Sequence, residues 1–284
     1  MHIMTRIFHF FHRRWFQIFA GGLLLFIATE EAFIITGNPN FFPTVILLGA
    51  LLVPVSFIAY VYERIPAKEI SLSCILICFL GGGAVGLIAA GLLEFTTIQK
   101  MGIPLLLVVG LVEEGAKLIF PMVQYLRGKY RSEADGVLFG VAAGMGFAAL
   151  ETMGYGLVAL IKSQGDVGVL EQVLLIRGLL SPAGHAAWTG FVCAVMWRER
   201  EREGRGLLSL PVIGAFILAI VLHTLWDTVN SLGGPTAIQF VIVIVGNLAI
   251  AGVSLTLLIR RMQEARKLVT QSTNLSDEFK ARLI

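Results

Sequence analysis

Seven residues suited to chemistry stand in four apolar stretches of this chain. Val112-Glu113-Glu114-Gly115-Ala116-Lys117 sets two adjacent carboxyl groups three and four residues before a lysine. Glu151 ends Phe147-Ala148-Ala149-Leu150-Glu151, His185 lies in Gly184-His185-Ala186-Ala187-Trp188, and His223-Thr224-Leu225-Trp226-Asp227 spaces a histidine and an aspartate by four. Helix positions three and four apart share a face. Lys117 therefore reaches one of the two glutamates, and His223 and Asp227 point the same way. One carboxyl group at 113–114 is left without a local partner, and so is Glu151. Two histidines, carboxylates and a lysine suit the activation of water in two ways. A zinc site takes about three protein ligands and an open position, which His185, His223 and Glu151 would supply, with a further glutamate as general base. A metal-free site uses a glutamate on water and the histidines as donors to the developing oxyanion. No H-E-x-x-H motif of the commoner zinc proteases occurs, and no membrane-embedded Ser–His or Asp–Asp pair with an evident motif is present.

The elements that must position these groups cross a membrane. The chain is 56% hydrophobic and 14% charged, far below the roughly 25% charged residues of soluble domains. Eight apolar stretches approach the ~20 residues that a span needs, at about 16–36, 42–62, 71–93, 103–121, 136–161, 181–197, 207–229 and 235–259. The sixth is short, and a start near Gln172 with Ser181-Pro182 as an internal break would lengthen it. The expected fold is all-α: a polytopic membrane protein of about eight helices, forming a single transmembrane domain over 1–284. A charged side chain at mid-membrane costs about 2.5–3.5 kcal/mol. Glu113, Glu114, Lys117, Glu151 and Asp227 thus call for pairing and for a function. Glu30 and Glu31 read as interfacial carboxylates at the end of the first span, and Arg177 as an unpaired cation able to snorkel.

Loop charge orients the spans. Of the 22 lysines and arginines, 18 fall on one side, three on the other, and Lys117 lies inside a span. Both termini are expected in the cytoplasm, with Arg198–Arg205 between spans on that side, read as a solvated helix end, and 260–284 as a polar cytoplasmic tail. The basic N-terminal segment, with His2, His9 and His12, precedes a retained first span rather than a cleaved signal. At ~1.5 Å per residue, Glu113 and Glu151 lie roughly 15 Å from the outer ends of their spans, and His223 roughly 9 Å. Glycines spaced by four, Gly82 and Gly86 in the third span and Gly136, Gly140 and Gly144 in the fifth, predict close helix approach. Cys74, Cys78 and Cys193 read as small apolar residues. No basic stripe with interleaved aromatics occurs, which excludes nucleic acid as a partner; the lipid bilayer is the expected surroundings.

Taken in order, Glu113–Lys117, Phe147–Glu151, His185 and His223–Asp227 resemble the motifs of PrsW-type intramembrane proteases. These are distant relatives of the type II CAAX prenyl endopeptidases, or Abi group. The resemblance covers about residues 100–230. It implies an intramembrane protease of a bacterial or archaeal cell membrane, cutting a membrane protein near the outer half of the bilayer, with an anti-sigma-factor-like substrate. It also implies Glu113 and Glu114 as the catalytic pair and His185 and His223 as ligands or oxyanion donors. Glu151 stands where CAAX endopeptidases have histidine, Asp227 where they often have asparagine, and Lys117 one residue before their arginine; these departures leave zinc dependence open. Two other classes compete. An ion-coupled transporter would use buried Glu, His and Asp as a pathway, but it should carry an inverted repeat, and the polar residues are confined to the fourth to seventh spans. A non-catalytic scaffold of the same superfamily is the third reading, since fold does not fix function.

Overall fold

Inside a bilayer the backbone has no water to bond with, so each long apolar run closes its own hydrogen bonds as a helix. The structure, a computed structural model, describes residues 10–65, 70–101, 106–203 and 206–281. His2 and His9, residues 204–205 of the Arg198–Arg205 run and the last three residues of the tail lie outside the described residues. The helices are α1 (Arg14–Thr36), α2 (Phe42–Arg64), α3 (Leu72–Met101), α4 (Leu106–Lys117), α5 (Ile119–Arg127), α6 (Glu133–Lys162), α7 (Val167–Leu180), α8 (Ala187–Glu203), α9 (Leu210–Ser231) and α10 (Ala237–Ala281). No strand occurs among the described residues. Turn residues punctuate the spans. Gly37, at φ 62°, ends α1. Ser132 and Asp135 form a capping box that starts α6, which satisfies two of its orphan backbone donors. Asp166 accepts from Gly168 and Val169 to start α7.

Seven helical stretches among the described residues are long and apolar enough to cross a membrane. The expected span at 103–121 is not among the seven: its described part forms two short helices, α4 and α5, that meet at Leu118. Pro121 supplies the reason: it has no N–H to bond the carbonyl of Lys117, so the helix breaks directly after that lysine. The sixth pass also departs from 181–197. It begins at Val167, and α7 is joined to α8 by a π-type turn, Pro182–Ala186. Here the Ala186 N–H donates to the Ser181 carbonyl at 3.4 Å, and Gly184 leaves helical geometry at φ −100°, ψ −108°. Wide turns of this kind inside helices collect at functional sites; this one holds His185. Over its described length the Arg198–Arg205 run is the end of α8, which continues through Glu203.

Leu24, Leu25, Ile34, Ile35, Leu92 and Phe95 stand exposed on the outside of the bundle, as an integral membrane protein requires of side chains that meet lipid. Helix α6 is the axis, with almost every residue from Glu133 to Ala149 buried. It packs against α2, α3, α7 and α8. Its glycines make this possible. A methyl group at Gly136, Gly140 or Gly144 would run into the backbone carbonyl of Cys193, Thr189 or His185, and one at Gly82 of α3 into Ala143. Lipid tails are as apolar as leucine, so close backbone approach at small residues, rather than a hydrophobic drive, holds such helices together. The three cysteines are free thiols.

Candidate active site

The site is assembled where α4, α6, the 182–186 turn and α9 meet. Gly110 lets α4 approach α9: a Cβ there would come within 2.9 Å of Thr224 Oγ1 and 3.2 Å of the Ile220 carbonyl. Glu113 and Glu114 then face inward, and Lys117, fully enclosed, ties them together. Its Nζ lies 3.1 Å from Glu113 Oε2 and 2.8 Å from Glu114 Oε1. The same ammonium donates to His185 Nδ1 at 2.8 Å, which uses its third proton, and it sits 4.3 Å from the centre of the Phe147 ring. Single partners do not compensate a charge taken this deep; three acceptors and an aromatic face do so here.

Hydrogen-bond roles fix the histidine tautomers. His185 Nδ1 accepts from Lys117, so Nε2 carries the proton and meets Glu151 Oε2 at 3.1 Å. Both nitrogens of His185 are therefore occupied. His223 Nδ1 donates to Glu114 Oε1 at 2.9 Å, and the Thr189 hydroxyl donates to Glu114 Oε2 at 3.4 Å. His223 Nε2 is left facing Glu113 Oε2 at 3.6 Å and Asp227 Oδ2 at 3.5 Å. These separations exceed a good hydrogen bond. Trp188 stacks on His223, with centroids 4.8 Å apart and planes at 24°, and its indole N–H donates to Ser254 Oγ of α10 at 2.8 Å.

All seven sequence-derived residues fall in this one cluster, but the proposed zinc set of Glu151, His185 and His223 is divided. Glu151 bonds His185, whereas His223 faces Glu113, Glu114 and Asp227, and the two imidazoles stand edge to face at 5.6 Å. Among the described residues no group of three or more His, Cys, Asp or Glu side chains is placed to hold a metal ion as it stands. The donors nearest to such a set are His223 Nε2, Glu113 and Asp227. Metal–ligand bonds of about 2.1 Å put neighbouring donors of a tetrahedron about 3.4 Å apart, close to the observed 3.5 and 3.6 Å. Glu114 on the Nδ1 side is the carboxylate that orients a metal-ligating imidazole. Four carboxyl groups also stand against only two basic side chains, Lys117 and Arg177, so a cation suits the donor set.

Three partners escaped the sequence reading. Arg177 is not unpaired: its Nη2 donates to Glu151 Oε2 at 2.6 Å and its guanidinium lies 4.0 Å from the Tyr155 ring centre. Its position as a lone cation in an apolar run, one turn before the Ser181-Pro182 break, was the available signal. Thr189 could have been found at four residues from His185 on the same helical face. Nothing in the sequence singled out Trp188. Access to the cluster lies on the side of Asp227, Arg177 and Tyr155, whose side chains are partly exposed. Asp227 and Tyr155 lie toward the ends of α9 and α6 that carry the loops at 232–236 and 163–166.

A model described as PrsW family intramembrane metalloprotease matches residues 71–253. That range takes in α3 to α9 and the first 17 of the 45 residues of α10, and so every residue of the cluster. The chain is also similar to Protease PrsW of Shouchella clausii (strain KSM-K16), at 27% identity over 196 residues, covering 66% of this chain and 83% of that protein. No solved structure matches it.

Proposed function

Since the chain belongs to the PrsW family of intramembrane metalloproteases, we propose that it hydrolyses a peptide bond of a membrane protein with water activated between Glu113, His223 and Asp227. Glu113 Oε2 is held by Lys117, and its carboxylate is the base: it takes a proton from water as the oxygen attacks the peptide carbonyl carbon. The proton then passes to the departing amine nitrogen. Glu114, locked by Lys117, His223 and Thr189, orients rather than reacts. Glu151 and Arg177 hold His185, whose Nε2–H is bonded to Glu151 and whose Nδ1 accepts from Lys117, so it positions the lysine. A divalent metal, zinc by its chemistry, would be held by His223 Nε2, Asp227 and Glu113 Oε2, leaving the second oxygen of Glu113 to act as the base. It would supply Lewis-acid polarisation and a more acidic water.

The observation that carries this reading is the single ammonium of Lys117, which binds Glu113, Glu114 and His185 at once. The access side favours cleavage in the outer half of the bilayer, given the loop-charge orientation with both termini cytoplasmic. The whole of 1–284 acts as one transmembrane domain in a bacterial or archaeal cell membrane. An anti-sigma-factor-like membrane protein is the substrate class.

The test uses purified full-length protein in lipid with a fluorogenic single-span substrate. Glu113→Gln should lower the rate about 100-fold or more while the protein stays folded. Chelation should abolish cleavage, and His223→Ala should remove bound metal measured by elemental analysis. A folded Glu113→Gln protein that cuts normally sinks the assignment; wild-type protein that cuts no single-span substrate puts the scaffold reading in its place.

A further inference from the structure

The buried donors of the active site spend their protons on one another. Lys117 gives its three to Glu113, Glu114 and His185. His223 Nδ1–H and the Thr189 hydroxyl go to Glu114, and His185 Nε2–H goes to Glu151. When water adds to a peptide carbonyl, negative charge develops on the carbonyl oxygen. A donor aimed at that oxygen supplies a large part of the rate in acyl-transfer enzymes. Such a donor has to come from the accessible side of the cluster.

Tyr155 stands there. It follows Glu151 by four residues on α6, so the two share a helical face, with Tyr155 about 6 Å further toward the loop at 163–166. Arg177 runs along this face. Its Nη2 donates to Glu151 Oε2 at 2.6 Å, its Nε to the Thr152 hydroxyl at 3.4 Å, and its guanidinium carbon lies 4.0 Å from the centre of the Tyr155 ring. A cation held on the ring face fixes the ring and leaves its hydroxyl edge open. Among the described residues no group hydrogen-bonds that hydroxyl. Tyr155 is 52% exposed, so a substrate can reach it. Its phenol also lies within electrostatic reach of Glu151, Arg177, Glu113 and Asp227 together. It therefore borders, from a third helix, the space that Glu113 of α4 and Asp227 of α9 flank. At neutral pH a phenol carries its proton and is a donor.

We propose that the Tyr155 hydroxyl is a further catalytic group, which donates a hydrogen bond to the carbonyl oxygen of the scissile peptide as that oxygen becomes an oxyanion. The inference rests on the protease reading above. Glu113 takes a proton from water, the water oxygen bonds the carbonyl carbon, and the C=O π pair moves onto oxygen. Tyr155 bonds that oxygen and keeps its own proton. The pair returns to re-form C=O as the C–N bond breaks and the amine leaves with the proton that Glu113 held. Arg177, tied to Glu151 and Thr152, is the positioning residue for the ring. A tyrosine kept only for its stack on Arg177 would not need the hydroxyl, and phenylalanine would serve as well.

Full-length protein in lipid is assayed with the fluorogenic single-span substrate. Binding of two labelled peptides is read alongside by fluorescence anisotropy. One is a phosphinic peptide, whose tetrahedral anion mimics the oxyanion; the other is the matching reduced peptide, with CH2 in place of the carbonyl. Tyr155→Phe keeps the ring under Arg177 and removes only the hydroxyl. It should lower kcat about 100- to 1,000-fold with KM within about twofold of wild type. It should weaken the phosphinic peptide by a similar factor and leave the reduced peptide unchanged. The ratio of the two affinities does not depend on how much of the variant is folded. A kcat equal to that of wild type overturns the proposal, and so does an unchanged affinity ratio. A raised KM with kcat unchanged overturns it too, since the contact would then be made equally in the ground state. Wild-type protein that cuts nothing overturns the protease reading and this inference with it, whereas equal cleavage by wild type and Tyr155→Phe removes the role of Tyr155 alone.

Discussion

Replacing Lys117 by methionine removes the ammonium and keeps an unbranched chain of similar length. Three contacts disappear, at 3.1 Å to Glu113, 2.8 Å to Glu114 and 2.8 Å to His185, and two adjacent carboxyl groups lose their common counter-charge. Removing one partner of a buried ion pair costs about 3–5 kcal/mol, chiefly because the other charge stays behind. Lys117→Met should therefore unfold at clearly lower temperature or at a lower fraction of denaturing detergent than wild type. The cause can be isolated with a second substitution. In a Glu114→Gln background one of the two carboxylates is already neutral, so Lys117→Met should cost about 1–3 kcal/mol less than in wild type. Both steps can be read by tryptophan fluorescence during detergent-induced unfolding, since Trp188 lies 5.6 Å from His185 and stacks on His223. The reasoning is refuted if Lys117→Met unfolds where wild type does, or if its cost is the same with Glu114 and with Gln at that position.

Gly144→Ala puts a methyl group against the His185 carbonyl. It should destabilise by about 1–3 kcal/mol and slow cleavage by displacing the 182–186 turn, whereas Gly154→Ala, which meets nothing within 4 Å, should do neither. Trp188→Phe keeps a ring against His223 but loses the bond to Ser254; a loss of about 1 kcal/mol in stability, reproduced by Ser254→Ala, is the expected result. Arg177→Gln should reduce the rate about 10- to 100-fold by loosening Glu151 and through it His185, with metal content unchanged; a matching loss of metal would place Arg177 in a different role. A cysteine introduced at Gly233 should react with an impermeant thiol reagent added outside cells, and one at Arg198 should not. The reverse pattern overturns the outer-half assignment.

The sequence by itself determined the parts of this protein that depend on local physics. Apolar length against bilayer thickness is a one-dimensional property, so the passes could be counted along the chain. The i+3 and i+4 pairing of Glu113 and Glu114 with Lys117 follows from helix geometry alone, and the structure contains both bonds. The Gly136, Gly140 and Gly144 stripe announced a close approach, which occurs against α8 and the turn that holds His185. The break after Lys117 is encoded in Pro121, although the apolar run 103–121 reads as one continuous span.

Only the tertiary structure decided which atoms meet. Lys117 and His185 are 68 residues apart, Arg177 and Glu151 are 26 apart, and His223 and Glu114 are 109 apart. A helix turned by one residue about its axis swings a side chain by about 100°, so such contacts rest on rotations set by glycine contacts between helices. That is why the two-histidine, one-glutamate zinc set could be drawn from residue types yet is divided in space. Glu151 faces the 182–186 turn and His223 faces α4, and Lys117 lies between the glutamate pair and His185 to hold them in one site.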